Sequence, residues 1–274
     1  MRAFVALALL LSVQPLAFAK PAACTKISDI PVVIDTPGYY CLAKKDFKSD
    51  ADPAIDVESD GVDLDFNGAE VHYTGSDELA FGVYVNGRSN VHVHGGTVRG
   101  YGNALVMTDS VASEFNGTSN KSVTEMTFED NGGVSIVVQG SGSLIANNEV
   151  THSGGWPDGS IIGILVMGPG ALVQRNRIEG TYQTAPASPD YAAYAIFLAS
   201  APQGRVEENE IIDTTAPVYS VGVHIAGSPG SVVANNKFEN KPKQPLWAGI
   251  EADASEGLIT SPNSYKHVLT EVWY

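Results

Sequence analysis

A short strand-like motif recurs along most of the chain, and it restricts the possible folds more than any other feature. Each copy has a small residue, an apolar residue, a variable residue, a second apolar residue and a second variable residue. The copies span residues 54–58, 82–86, 104–108, 133–137, 163–167, 195–199, 222–226 and 249–253. Alternation with a period of two is typical of a strand that buries one face, so each copy predicts a short strand.

A second motif, with a central asparagine, follows each of the later copies. The asparagines Asn148, Asn176, Asn209 and Asn236 lie 13 to 15 residues after the small residue of the preceding copy. The interval from each asparagine to the next copy varies more, from 13 to 19 residues, so insertions fall in that half of the repeat. A repeat of 22 to 32 residues without helical periodicity predicts a β-solenoid. In such a coil the four asparagines would stack as an internal ladder of side-chain amides.

The glycine-rich stretch VHVHGGTVRGYG, residues 91–102, resembles a phosphate-binding loop at first sight. Such a loop requires a following helix, whereas here the strand pattern continues. We therefore interpret it as an early rung of the coil, with Val91, Val93 and Val98 pointing inward. The alternation places His92 and His94 on the outer surface of a different sheet.

Together with VDLDFNG, residues 62–68, this stretch resembles the right-handed parallel β-helix family, the pectin-lyase-like proteins with short β-helix repeats. The resemblance covers roughly residues 50–255. It implies an all-β fold, a single-stranded right-handed parallel β-helix of about eight rungs. It also implies an exported protein that acts on carbohydrate and binds ligands across the first parallel sheet, which the strand motif forms. The family includes binding and structural members, so the fold alone leaves the activity open.

The ends of the chain suggest how the rest is organised. Residues 1–19 have a basic start, an apolar run and the small-residue signal Ala17-Phe18-Ala19, which predicts a signal peptide. We assign residues 20–50 to an N-terminal cap, 51–255 to the β-helix and 256–274 to a C-terminal cap. A secreted or periplasmic location follows, and there Cys24 and Cys41 are expected to form a disulfide that staples the first segment. A metal or redox pair would have closer spacing.

The charge of the chain restricts its partners. A formal net charge of −15 opposes binding to nucleic acid or to an anionic membrane, because their phosphates require Lys and Arg. It also opposes long polyanionic glycans unless a basic groove or Ca²⁺ intervenes. We predict no cofactor, with Ca²⁺ as the one ion that such a substrate would call for.

Two columns of side chains are predicted to face outward from the sheet of motif copies. Neighbours in a column lie about 4.8 Å apart, one on each strand. The third motif position gives Asp56, Tyr84, Val106, Ser135, Leu165, Phe197, His224 and Glu251. The fifth position gives Glu58, Asn86, Thr108, Val137, Met167, Ala199, Ala226 and Asp253. The apolar middle of this face predicts that something covers it, and the candidates are the chain's own loops, a second protomer or a ligand.

The inserted halves of the repeat supply aromatic residues beside this face. Aromatic rings along a groove suit the apolar faces of sugars, and they equally suit loops that are pinned to the scaffold. The predicted substrate-binding residues are Tyr84, Leu165, Phe197, Trp156, Tyr191 and Trp247.

Three titratable residues meet at one end of the face and form the candidate catalytic set. His224 and Glu251 are neighbours in one column, and Asp253 lies alongside. A carboxylate next to an imidazole favours the imidazolium and orients one ring nitrogen, which suits general acid or base catalysis. The alternatives are a metal site, although no second histidine is in register, and a solvated end of the stack.

The competing functions differ in their demands on this face. A hydrolase needs two carboxylates roughly 5–10 Å apart, which Glu251 and Asp253 satisfy by strand spacing. A uronate lyase or epimerase needs cationic groups, and neither outward column contains Lys or Arg. The first hypothesis is therefore a secreted β-helix that binds or acts on a polysaccharide or a small-molecule ligand. The alternative is a non-catalytic β-helix whose apolar face binds a protein partner, a second protomer in a homodimer or a hydrophobic small molecule.

Overall fold

The computed structural model describes residues 23–109, 117–184 and 188–274, so the predicted signal peptide lies outside the described residues. Within these ranges the regular elements are all β-strands, which confirms the all-β prediction. The described part of the chain contains no helix that is long and apolar enough to cross a membrane.

The chain winds as a coil that adds one strand to each of three parallel sheets per turn, so it forms a parallel β-helix. Sheet 1, built from the motif copies, comprises β2 (Val32–Ile34), β5 (Ile55–Val57), β8 (Phe81–Asn86), β11 (Asn103–Thr108), β14 (Val134–Gln139), β17 (Ile161–Met167), β20 (Ala193–Ala199), β23 (Ser220–Ala226), β26 (Leu246–Asp253) and β29 (Val268–Trp273). Sheet 2 comprises β1 (Thr25–Ile27), β3 (Gly38–Leu42), β6 (Val62–Asp65), β9 (His92–His94), β12 (Ser122–Thr124), β15 (Leu144–Ala146), β18 (Leu172–Gln174), β21 (Arg205–Glu207), β24 (Val232–Ala234) and β27 (Ile259–Thr260). Sheet 3 comprises β4 (Asp46–Ser49), β7 (Glu70–Tyr73), β10 (Thr97–Arg99), β13 (Thr127–Glu129), β16 (Glu149–Thr151), β19 (Arg177–Glu179), β22 (Glu210–Ile212), β25 (Lys237–Glu239) and β28 (Ser264–Lys266).

The coil extends into both segments that the sequence assigned to caps. Strands β1 to β4 at the start, and β27 to β29 at the end, pair in parallel with the neighbouring rungs. Two of the sheets therefore have ten strands rather than about eight. The predicted disulfide joins Cys24 to Cys41 across the first rung, with a Cα–Cα distance of 5.6 Å.

The predicted asparagine ladder lies at the turn between sheets 2 and 3. Each ladder asparagine is almost fully buried. The Oδ1 atoms of Asn176, Asn209 and Asn236 each accept hydrogen bonds from the backbone N–H and the Nδ2 of the asparagine one rung below, and Oδ1 of Asn148 accepts from the backbone N–H of Met126. Asn263 extends the ladder by one rung beyond the prediction. In the earlier rung the turn is Gly95-Gly96, and a Cβ on Gly96 would lie 2.4 Å from the Cβ of Phe66. Val91, Val93 and Val98 are fully buried, so this stretch is scaffold.

Packing between sheets explains the small residue of the strand motif. A Cβ added at Gly222 would lie 2.5 Å from the ring of Phe238, and one at Gly249 would lie 2.6 Å from the ring of Tyr265. These rings come from sheet 3 and stack on each other with centroids 5.1 Å apart. The small residue therefore makes room for the aromatic layer inside the coil.

Candidate functional site

The backbone register establishes which side chains share the outward column of sheet 1. From the first rung to the last the column contains Val33, Asp56, Tyr84, Val106, Val137, Leu165, Phe197, His224, Glu251 and Trp273. The prediction of Ser135 at this position was wrong by two residues. Both registers keep the alternation and both begin on a small residue, so the sequence pattern fits either one. Ser135 is fully buried, and its hydroxyl forms a hydrogen bond with that of Ser153.

The apolar middle of this column is less exposed than the sequence suggested. Val106 and Val137 are only 6% and 9% exposed, and Leu165 and Phe197 are half-buried. The large apolar side chains that are exposed in the described ranges lie outside this stretch, and they include Leu79, Val218 and Leu269. The face therefore offers a narrow apolar strip rather than a broad patch.

His224 and Glu251 form a closely paired unit on adjacent strands of sheet 1. The Nδ1 of His224 is hydrogen-bonded to Oε2 of Glu251, and the Tyr219 hydroxyl donates to Oε1 of the same carboxylate. Because an ionised carboxylate only accepts hydrogen bonds, Nδ1 carries the proton and Nε2 has the free lone pair of the neutral ring. Nε2 lies 3.7 Å from Oδ2 of Asp253, which is the next outward side chain on β26.

Aromatic rings surround this pair. The ring of Phe197 meets that of His224 edge-on at a centroid distance of 4.5 Å, and Tyr194 lies 5.2 Å from the imidazole. On the other side, Tyr219 packs at 4.5 Å against Trp247, and Trp247 packs at 4.9 Å against the ring of Trp273. His224 and Glu251 are consequently buried, although both project from the outer face of the sheet.

The half-buried tyrosines beside the pair keep their protons. Burial, together with the negative charges of Glu251 and Asp253, raises the pKa of Tyr194 to about 12. The pKa of Tyr219 is also raised, first by burial and then by the hydrogen bond that it donates to Glu251. Both phenols are therefore neutral at ordinary pH, and the Tyr219 hydroxyl is the hydrogen-bond donor to Glu251.

The geometry assigns different roles to the two carboxylates. Glu251 is 3% exposed and both of its oxygens are engaged, so it is not available as one of the two solvent-facing acids of a hydrolase. Asp253 has a side chain that is 60% exposed. The same three side chains present one ligand atom each within reach of a single ion. A metal there would have to displace the partners of Glu251, so the arrangement favours an oriented imidazole.

The predicted substrate-binding residues separate into two groups. We call His224, Glu251 and the surrounding rings of Tyr194, Phe197, Tyr219, Trp247 and Trp273 the His224 cluster. Phe197 and Trp247 belong to it, and Leu165 is the neighbour of Phe197 in the outward column. Tyr84 occupies the same column but lies five strands from His224, about 24 Å away at the usual strand spacing.

Trp156 and Tyr191 do not reach the His224 cluster. Trp156 packs beside Gly133 and Gly159, and it lines a separate cavity of about 330 Å³ with Tyr73 and Tyr101. Tyr191 is half-buried at the end of an inserted loop, where its backbone N–H donates to Ser188.

A second cavity, of about 520 Å³, opens beside Trp247. Its walls carry amide and hydroxyl side chains and one lysine, namely Gln183, Thr184, Thr215, Ser220, Gln244 and Lys243. The cavity and the His224 cluster share Trp247 as a common wall. Together they give an aromatic surface with hydrogen-bonding groups on one side and the His224 imidazole on the other.

Three residues of the cluster, Tyr194, Tyr219 and Trp273, were absent from the predicted site. Tyr219 lies in an inserted half of the repeat, whose path the spacing does not predict. Tyr194 precedes the small residue of its motif copy, a position that the alternation does not place on the outer face. Trp273 lies in the segment that was assigned to a cap, although its strand continues the register of sheet 1.

The fold and this surface define the protein as a parallel β-helix with an aromatic-lined His–Glu pair on its outer face. Residues 81–267 match the family described as right handed beta helix region, and the chain belongs to that family. The predicted resemblance is thereby confirmed. No curated protein matches the sequence significantly.

Solved structures give distant likenesses. The Dettilon tailspike protein is 14% identical with a TM-score of 0.47 over 90% of this chain, which spans 60% of the tailspike chain. An alginate lyase from Paenibacillus sp. is 11% identical with a TM-score of 0.30, over 82% of this chain and 93% of its own. The A-module of an Azotobacter vinelandii mannuronan C-5 epimerase is 10% identical with a TM-score of 0.29, over 86% and 88%. At these values the likenesses carry no inference about activity.

Proposed function

We propose that the protein is exported and acts on a carbohydrate at the outer face of sheet 1, with His224 transferring a proton. The observation that carries the proposal is the hydrogen-bonded series from Tyr219 through Glu251 to His224. The Cys24–Cys41 disulfide supports export, because disulfides persist in oxidising compartments.

The series supplies what a general acid or base requires. A carboxylate on Nδ1 fixes the tautomer and the ring orientation, and it stabilises the imidazolium that forms when Nε2 takes a proton. Asp253, 3.7 Å from Nε2, adds a second negative charge on the side where the proton arrives. The surrounding rings of Tyr194 and Phe197 limit water around the imidazole and so strengthen these electrostatic interactions.

The neighbouring surface suits a sugar. Trp247 offers an aromatic ring for the apolar face of a pyranose, while the amides and hydroxyls of the adjoining cavity match its hydroxyl groups. The narrow apolar strip gives less support to a large protein interface, because Val106 and Val137 are already covered.

A polysaccharide panel tests the proposal. Purified protein is incubated with neutral and acidic glycans and the products are analysed by mass spectrometry. Unsaturated ends identify a lyase, new reducing ends without unsaturation identify a hydrolase, and altered sugars without cleavage identify an epimerase. His224→Gln should lower turnover by about 10²–10⁴-fold.

His152→Gln is the matched control, because His152 lies directly after β16 of sheet 3 and its side chain is 62% exposed, and this change should leave turnover unchanged. Turnover that survives His224→Gln would remove His224 from the chemistry. Retention of glycan without any product would show a binding module instead of an enzyme.

A further inference from the structure

The cavity of about 330 Å³ that Trp156 lines lies where the chain passes from sheet 3 to sheet 1 in the early rungs. Residues 75–78, which precede β8, form one wall, and residues 154–156, which precede β17, form another. The turns 100–102 and 130–132, which precede β11 and β14, lie between these walls. The cavity therefore spans four consecutive rungs, about 14 Å along the coil axis at the usual strand spacing.

A column of glycines leaves this space open. Backbone hydrogen bonds between consecutive turns align the glycines of the early rungs with residues that carry side chains in the later rungs, in the order Gly102, Gly132, Gly154, Tyr182 and Thr215. A Cβ on Gly132 would have no neighbour closer than 3.7 Å, and the backbone there does not adopt a positive φ. Neither packing nor conformation therefore requires glycine at position 132, and its effect is to keep the cavity open.

Aromatic side chains line the cavity on both walls. The half-buried ring of Tyr73 packs at a centroid distance of 4.8 Å on that of Tyr101, which is fully buried. The backbone of the Trp156 loop is held by the buried Gln183, whose Nε2 donates to the carbonyls of Trp156 at 2.9 Å and Gly159 at 2.7 Å. The Tyr101 hydroxyl is buried and has no hydrogen-bond partner among the described residues. An unpartnered buried hydroxyl is unfavourable, so a ligand that donates a hydrogen bond to it would gain stability.

The carboxylates that line the cavity give it a negative charge. Asp77 and Glu78 are exposed, and within the described ranges neither forms an ion pair; Oδ1 of Asp77 accepts the backbone N–H of Leu79 at 2.9 Å. Asp130, by contrast, is paired with the Arg99 guanidinium at 2.9 Å. Neither Asp77 nor Glu78 belongs to a group of potential metal ligands in the described part of the chain. The charge is therefore spread along the cavity, which favours an organic cation over a metal ion.

We propose that this cavity binds a small organic cation with a primary ammonium group, such as an amino sugar or an alkylamine. Ammonium groups are attracted to the faces of aromatic rings, which Tyr73 and Trp156 supply. Asp77 and Glu78 provide the opposite charge and accept N–H donors, and the Tyr101 hydroxyl is a further acceptor. A cavity of about 330 Å³ is at the small end of the range for ligand sites, roughly 300–1,000 Å³, and suits a monosaccharide or a short diamine.

Calorimetric titration of the purified protein at low ionic strength tests the proposal, with glucosamine and 1,4-diaminobutane as probes. At least one of the two should bind in one equivalent, and the tighter of them identifies the source of the ammonium group. N-acetylglucosamine and glucose, which have no positive charge, should bind at least about tenfold more weakly than glucosamine if glucosamine is the tighter probe. Choline, which is a cation without N–H donors, should bind more weakly than the tighter primary amine.

Variants of the cavity locate the bound amine. Gly132→Val should abolish binding because it fills the cavity, and Trp156→Ala should weaken binding about tenfold. Glu78→Gln should weaken it by up to about fivefold. Tyr101→Phe should weaken binding while the melting temperature of the free protein stays the same or rises, a combination that a purely structural role would not give. Far-ultraviolet circular dichroism and the melting temperature confirm that each variant remains folded.

Glu256→Gln is the matched control for charge, because it removes an exposed carboxylate at the far end of the coil, and it should bind the amine as the wild type does. His224→Gln should also bind normally, and Gly132→Val should leave any turnover of glycan unchanged, so this test and the test of His224 fail independently. The absence of binding by both amines would overturn the proposal. So would binding that survives Gly132→Val, or an uncharged sugar or choline that binds as tightly as the tighter primary amine.

Discussion

Replacing Asn176 with leucine tests the internal ladder that positions every rung. The Asn176 side chain makes four hydrogen bonds within the coil. Its Nδ2 donates to the Ile145 carbonyl at 3.0 Å and to Oδ1 of Asn209 at 3.0 Å. Its Oδ1 accepts from the backbone N–H of Asn148 at 3.0 Å and from Nδ2 of Asn148 at 2.9 Å. Leucine has the same branching at Cγ and is somewhat larger, so the change removes hydrogen bonds without opening a cavity.

The loss of stability follows from which groups lose their partners. The backbone N–H of Asn148 loses the acceptor that the ladder provides, and a buried unpaired donor costs about 1–3 kcal/mol. The Nδ2 of Asn148 keeps its hydrogen bond to the Val123 carbonyl, so this group contributes less to the loss of unfolding free energy. We expect Asn176→Leu to lower the free energy of unfolding by about 3 kcal/mol, which for a chain of this size lowers the melting temperature by roughly 6–12 °C.

Thermal and urea denaturation followed by circular dichroism measure the effect. The control is Asn86→Leu, because Asn86 is exposed on β8 and accepts one hydrogen bond from Thr108; it should change stability by no more than about 0.5 kcal/mol. Equal melting temperatures for wild type and Asn176→Leu would refute the ladder and the register derived from it.

Two further predictions concern packing and pH. Gly222→Val should destabilise the coil by about 1–3 kcal/mol in urea denaturation, because the new side chain meets the ring of Phe238 inside the coil; a neutral result would contradict the account of the small residue. The pKa of Tyr219 is raised in the folded state. Above pH about 10, the ordinary pKa of tyrosine, the folded state therefore binds more protons than the unfolded state. Its stability falls as the pH rises. Tyr219→Phe removes this group and should make the alkaline loss of stability shallower, whereas an identical slope would show that Tyr219 ionises normally.

The fold was predictable because the sequence repeats the same strand pattern many times. Each copy of the strand motif predicts the same inward and outward positions, so a wrong register in one copy does not change the assignment in the others. The copy that begins at Gly133 shows the remaining ambiguity, since a shift of two residues keeps the alternation and places Ser135 on the wrong face. The terminal rungs were missed for a related reason: β29 has Glu271 where the preceding strand has a glycine, so it does not match the motif.

The candidate site was predictable only where it depends on register. His224 and Glu251 meet because neighbouring strands align them, which the repeat spacing predicts. Tyr194 could not be placed in this way, because Ile196 and Leu198 point inward and strict alternation would send Tyr194 inward as well. The strand departs from alternation next to the small Ala195, and the Tyr194 ring therefore contacts Phe197 and His224 on the outside. The position of Trp156 depends on the path of an inserted loop, which the spacing of the repeats does not predict.

The coil also determines how strongly side chains on distant rungs can influence each other. Each rung contacts only its neighbours, so a substitution on one rung has no direct contact with a distant rung. His92 and His94 belong to the turn that begins with β8, whereas His224 lies on β23, five rungs further along sheet 1. At about 4.8 Å per rung the separation is about 24 Å along the axis, and beyond about 10 Å substitutions usually add within 0.3–0.5 kcal/mol. The double variant His94→Ala/His224→Gln should therefore show the sum of the two single changes in unfolding free energy. An interaction energy above about 1 kcal/mol in this double-mutant cycle would mean that the rungs are coupled over long range.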